Sequence, residues 1–313
     1  MSLKKMEPDW WIELESTYRE RIAERKHLYT IHGKTILDSL PGSEKACYEL
    51  MEMVLQFLCV RYPKLFHFDE KTGMFQNFIL GSQSSIKTMD PLMFLLEHVP
   101  EDFLITQEDR NTGLYVLMAG VSCSAVGWNM ATKMGKTLEE IHDPVPDYKE
   151  KMQFSMNRYF SKMPCEKPIQ RGSWSLEIGQ PLFLQPNDPH FKLRAEQLPH
   201  LDINDIYLRV DWQTLRRLPV SKAIVFNFKA LFTPVTRFET EPYIPRLLAQ
   251  VLRGSKSSFL EYKATHHVVH KLLPALDKWA RAQEEKGWVP KGWKERTLDE
   301  DPFFPGWEFH KNN

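Results

Sequence analysis

Hydrophobic and polar positions alternate most strictly between Asp205 and Thr236. Ile206, Leu208, Val210 and Trp212 fall on every second position with Tyr207, Arg209, Asp211 and Gln213 between them, the period of a strand with one apolar face. Ile224, Phe226, Phe228 and Ala230 repeat the pattern around Val225, Asn227 and Lys229, and the intervening LRRLPVSK supplies Pro219 and Ser221 for a turn. The stretch predicts an antiparallel hairpin. One side of its first strand belongs to a core; the other offers a cation, an anion and an amide in a row, and belongs to water or to a site.

The rest of the chain predicts elements that flank this hairpin. Residues 9–32 read as a short surface helix. From Ser43, a plausible N-cap, the spacing of Ala46, Leu50, Met53, Val54, Phe57 and Leu58 predicts a core helix ended by Pro63. A helix starts around Pro91, and PEDFLITQEDRNTGLYVLMAG reads as two strands about an Asn-Thr-Gly turn. A short helix over Trp128–Met134 breaks at Gly135. Thr137 with Glu140 forms a capping box, and Pro144 and Pro146 stop the helix after His142. Lys149–Met163 predicts an amphipathic helix and Ser173–Ile178 a strand. Pro181–Asn204 is a long loop with the character of a lid. Beyond Pro234 the pattern is helical, with Phe259–Gln283 as one long helix, and the last thirty residues carry Trp288, Trp293, Phe303, Phe304 and Trp307 as an aromatic tail. The class is α+β.

Composition narrows function. With 313 residues and 42% hydrophobic content the chain builds a sizeable core, and 41 basic against 41 acidic residues leave no electrostatic footprint for nucleic acid or acidic membranes. Cys47, Cys59, Cys123 and Cys165 show no paired spacing, which fits a reducing compartment and, without an apolar leader segment, a cytoplasmic location. The uncharged run Asn111–Thr132 contains three glycines and several polar residues, so it reads as strand, turn and helix start rather than a membrane span. Neither GxGxxG nor GxxxxGK[ST] occurs.

LRVDWQTLRRLPVSKAIVF, together with DWWIELESTYRERIAERKHL, RYPKLF and GWNMATKMGKTLEEIHDPVPDYKEKM, resembles the haem-dependent oxidative N-demethylase alpha-subunit family. Asp211-Trp212 stands where that family usually has Glu-Arg. The resemblance implies a PAS-like antiparallel sheet with flanking helices and N- and C-terminal helical extensions, divided as a haem-binding catalytic domain over residues 1–240 and a helical extension with the tail over 241–313. It implies haem b, dioxygen and a small methylated amine, with electrons from a separate reductase carrying flavin and an iron–sulfur cluster and with a folate-dependent subunit as a further partner. The alternative is a haem-binding PAS-type sensor of gas or redox state.

Haem iron takes an axial imidazole or thiolate. His142, at a helix end of fixed direction, is the candidate metal ligand, though a histidine there equally serves as a simple C-terminal cap; His190 and His200 are its rivals. His266 and His270 are one turn apart but lack a third ligand. An ammonium substrate calls for a carboxylate, and Asp211 and Glu177 suit it; a donor toward dioxygen is supplied by Arg209 or Gln213. Arg216 and Arg217 are candidates for the haem propionates, and Tyr148 for the pocket edge.

Overall fold

The computed structural model describes residues 3–294. The chain opens with β1 (Lys4–Lys5), α1 (Tyr18–His32), β2 (Leu37–Ser39) and α2 (Glu44–Arg61). A small antiparallel sheet follows, β3 (Phe66–Asp69), β4 (Met74–Asn77) and β5 (Ser82–Ser85), then α3 (Pro91–His98), whose first amides donate to the Asp90 carboxylate. The expected surface helix is fifteen residues long and partly internal, because Tyr18, Ile22 and Arg25 are buried. Ser43 precedes α2 as expected, yet its hydroxyl donates to Leu40 O at 2.7 Å instead of capping the helix.

β6 (Asp102–Glu108) and β7 (Tyr115–Val121) form the first hairpin about the Asn-Thr-Gly turn. Four short helices come next, α4 (Met130–Lys133), α5 (Leu138–His142), α6 (Tyr148–Lys151) and α7 (Gln153–Lys162), followed by β8 (Ile169–Ile178) and α8 (Pro189–Lys192). The predicted hairpin is β9 (Ile206–Arg217) with β10 (Ile224–Pro234), in unbroken register from Arg217 opposite Ile224 to Tyr207 opposite Pro234. Its turn is held by Glu49 of α2, whose carboxylate accepts from the amides of Val220 and Ser221 at 2.6 and 2.7 Å. The helices α9 (Ile244–Gly254), α10 (Ser257–Tyr262) and α11 (His266–Glu285) follow. The single long helix expected over Phe259–Gln283 is broken at Ala264, where φ reaches +48°. Phe303, Phe304 and Trp307 of the expected tail lie outside the described residues.

All seven strands of the large sheet pair antiparallel, in the order β1-β8-β9-β10-β6-β7-β2. The strand period of two decides what each face meets. Even-numbered residues of β9 and odd-numbered residues of β10 share one face. It meets a core of α1, α2 and α3 side chains around Phe103, Ile105 and Val225, and, at the Ile206 end, the α9 and α11 side chains Ala249, Leu252, Leu272 and Leu276. The odd-numbered residues of β9 lie on the face that the segment α4–α7 crosses, where Leu215, Ile169 and Ile224 pack with Leu138, Met156, Tyr159 and Phe160. Both faces therefore carry packed elements, and the polar side of β9 is only partly open to water, with Arg209 buried and Asp211, Gln213 and Arg217 half-buried.

Candidate functional site

His142 closes α5. The capping box expected there is present, with Thr137 Oγ1 accepting from Glu140 N at 3.3 Å and a Glu140 carboxylate oxygen accepting from Thr137 N at 2.8 Å. The ring Nδ1 lies 2.7 Å from the Leu138 carbonyl oxygen, and an acceptor there requires that Nδ1 carry the proton. Nε2 is then the unprotonated nitrogen, and it has no hydrogen-bond partner among the described residues. Tyr148 stacks on the imidazole with ring centroids 5.0 Å apart and planes 10° from parallel. Burial holds the His142 pKa below its ordinary value, opposed by the Leu138 bond and reinforced by Lys133 and Arg171. A neutral imidazole with its second nitrogen pinned and its first free is the state that ligates a metal.

Glu177, Arg209, Asp211, Gln213 and Arg217 are all brought to the α4–α7 face by the register of β8 and β9. Arg209 is 2% exposed and fully engaged: it donates to Asp211 Oδ1 at 3.0 Å, to the carbonyls of Pro181 and Leu182 at 3.3 and 3.4 Å, and to that of Ser124. It is a strut that fixes Asp211, whose other carboxylate oxygen makes no hydrogen bond among the described residues. Glu177 is 1% exposed, accepts from Ser175 Oγ at 2.9 Å and pairs with Arg194 at 3.3 Å; burial pushes its pKa up against that pairing. Gln213 is half-buried and its amide makes no hydrogen bond among the described residues.

Arg216 and Arg217 are consecutive on a strand and so face opposite ways. Arg217 stays on the His142 side, but its donors are spent on the carbonyls of Met163 and Phe160, on Lys222 O and on Tyr115 Oη, binding β9 to the end of α7. Arg216 lies on the other face, over the Trp11 ring. Two cations that the sequence reading passed over occupy the His142 side instead. Arg171, opposite Gln213, makes neither a hydrogen bond nor an ion pair among the described residues, and burial holds its pKa down. Lys263 donates to Ser173 Oγ at 2.8 Å, lies within 6 Å of the Trp174, Phe259 and Tyr262 ring centroids, and is pushed down to about 8, first by burial and then by Arg171. The alternation that carries Ser173, Ser175 and Glu177 extends back to Arg171; nothing in the sequence announces Lys263, which reaches the sheet only because α10 folds over the β8 edge.

The rival histidines named from the sequence are engaged or exposed. His190 Nε2 lies 2.9 Å from Ile178 O and His270 Nε2 3.0 Å from Leu198 O, while His200 is exposed. Among the described residues no three His, Cys, Asp or Glu side chains converge on one point. The Pro181–Asn204 segment is not a free flap: Arg209, the Glu177–Arg194 pair and the His190 bond fasten it along its length.

An antiparallel sheet with flanking helices that bring an oriented imidazole, a half-tied carboxylate and two part-buried cations to one face defines an α+β protein with a candidate site on that face. The chain belongs to the family described as haem-dependent oxidative N-demethylase, alpha subunit-like, whose pattern residues 2–273 match. The match takes in the whole large sheet and every side chain of the candidate site. No helix among the described residues is long and apolar enough to cross a membrane.

Proposed function

We propose that this chain is a haem-dependent oxidoreductase that removes a methyl group from the nitrogen of a small methylated amine, using dioxygen and two externally supplied electrons and releasing formaldehyde, the demethylated amine and water. Three observations support a fit to haem. His142 offers a free Nε2, and one imidazole is all that a haem requires of the protein for ligation. Arg171 and Lys263 are part-buried cations with no ion pair among the described residues, Asp211 acting on Lys263 only through its field, and they match in charge the two carboxylates of a haem. Phe226 and Leu215 lie half-buried on the same face, suited to an apolar macrocycle. A PAS-like reading rests on the central strands, which stand along the sheet as second, first, fifth, fourth and third in chain order, with α4–α7 inserted between the second and third.

In this reading His142 would ligate the haem iron, Tyr148 would hold the imidazole plane, and Arg171 with Lys263 would receive the haem carboxylates. Haem bound there supplies the redox-active iron at which dioxygen is activated. Asp211, aimed by Arg209, holds the substrate ammonium with its untied oxygen; a charge-assisted hydrogen bond of this kind stabilises by about 1.5–3 kcal/mol. Gln213 donates its amide toward the reacting face, and Glu177, anchored by Arg194, adds negative potential behind Asp211. Electrons come from a separate reductase with flavin and iron–sulfur centres, in keeping with a family named for a subunit.

The observation that carries the proposal is the His142 Nε2, oriented and unpartnered beside the uncompensated Arg171. The full chain, loaded with haem and given a reductase, is offered dimethylamine and other methylamines. Formaldehyde release supports the reading; full haem loading with no formaldehyde from any member of the series rejects it.

A further inference from the structure

A groove of about 490 Å³ opens on the opposite face of the sheet, lined by Asp9, Trp11, Met53, Gln56, Phe57, Val60, Arg61 and Arg216. Its floor is rigid. Trp11 is 2% exposed, donates its indole N–H to Asn227 Oδ1 at 3.0 Å, and meets Phe57 edge-on at 5.4 Å. Arg216 lies flat on this indole, its guanidinium carbon 3.7 Å from the ring centroid.

Arg216 differs from the two other arginines of β9 in that no anion or acceptor among the described residues answers its charge. Arg217 beside it has four acceptors and Arg209 four, whereas Arg216 makes no hydrogen bond or ion pair among the described residues, and its Nε is enclosed without a partner. Burial alone pulls its pKa down to about 10, with no anion acting the other way. A guanidinium held flat on an aromatic ring keeps its edge donors in one plane, the arrangement that takes a carboxylate through two parallel hydrogen bonds. Arg61 adds a second cation at the rim, and Met53, Phe57 and Val60 form an apolar wall, with Val60 81% exposed. The size is that of a small-molecule site.

We propose that this groove binds a small organic monocarboxylate, its carboxylate on the edge of Arg216 and its apolar body along Met53, Phe57 and Val60. With Arg216 and Arg61 against Asp9, the lining carries a net charge of about one positive unit, which suits one negative charge and disfavours a phosphate dianion. The site is independent of haem, because Arg216 and the Arg171–Asp211 set lie on opposite faces of β9 and β8.

The test is calorimetric titration of the full chain with benzoate, with benzamide as the uncharged isostere and inorganic phosphate as the apolar-free anion. Benzoate is expected to bind saturably, at least ten-fold more tightly than benzamide or phosphate, and to leave the absorption of haem-loaded protein unchanged. Arg216→Gln should weaken benzoate at least ten-fold. Val60→Glu, at an exposed position where folding is not at stake, should weaken it by repulsion and keeps the test decisive if the Arg216 variant misfolds. Equal binding of benzoate and benzamide, phosphate binding as tightly as benzoate, no binding, or wild-type affinity in Val60→Glu would overturn the assignment.

Discussion

Arg25 of α1 and Asp102 of β6 form an ion pair from which solvent is excluded, both side chains having no exposed surface. The pair is the root of a relay to the candidate site. Asp102 accepts from the amides of Cys123 and Ser124 at 2.9 and 2.6 Å, the carbonyl of Ser124 accepts from Arg209, and Arg209 holds Asp211 at 3.0 Å. One residue, Ser124, is gripped from both ends of its backbone, so a helix near the N-terminus and a carboxylate on β9 are tied through four links.

Breaking the root leaves a buried carboxylate uncompensated. Arg25→Met is expected to cost about 3–5 kcal/mol of folding stability, measured by chemical denaturation, far more than the same change at exposed Lys26.

His142→Ala should remove most bound haem or change its axial ligation while leaving the chain folded, since a group at a helix end contributes only about 0.3–1 kcal/mol through the dipole. The absorption spectrum of haem-loaded protein checks this. The same change at His190, His200 or His270 should leave the spectrum intact, and a wild-type spectrum in His142→Ala rejects the ligand assignment.

Lys263 gives a pH dependence of definite sign. Its pKa in the folded chain is about 8 instead of 10.5, so between those values the unfolded chain binds more protons and stability of the haem-free protein rises with pH. A bound carboxylate restores the charge, so haem binding takes up a proton in the same window and weakens as pH rises above 8. Haem dissociation measured from pH 7 to 10 should show this slope, and Lys263→Met should flatten it.

Asp211→Asn should raise the KM for a methylated amine about ten-fold or more, the loss of roughly 1.5–3 kcal/mol of charge-assisted bonding, with the haem spectrum unchanged. Arg209→Ala should do the same through misplacement of Asp211, and in addition lower stability because Arg209 also holds the Pro181–Leu182 and Ser124 carbonyls. Steady-state kinetics together with thermal melting separate the two.

Acid should unfold the chain through its buried imidazoles. His98 and His267 are each depressed to about 4, chiefly by burial, so the unfolded chain binds more protons between that value and 6.5, and stability falls as pH drops across the window. Denaturation midpoints at pH 7, 5.5 and 4.5 should decrease in that order.

Local order was written in the sequence. A period of two marks β9 and β10, the Asn-Thr-Gly turn marks β6–β7, and Thr137, Glu140 and the following prolines fix the end of α5 at His142, because these patterns act through neighbours a few residues apart. The small sheet β3–β5 escaped notice: Phe66 to Ser85 holds short strands of mixed polarity whose pairing is set by the core they lean on. Partnership at the site was not legible either. Arg209 reads as a group available for chemistry until Ser124, Pro181 and Leu182 are brought against it from far along the chain. Arg216 and Arg217 read as a pair until the register turns them to opposite faces, one donating four hydrogen bonds and the other none among the described residues. Whether a charged side chain is a strut or a free functional group depends on which acceptors the fold carries to it, and those lie about 27–85 residues away in the case of Arg209. Sequence periodicity settles which side of a strand a residue occupies; only the tertiary structure decides what waits there.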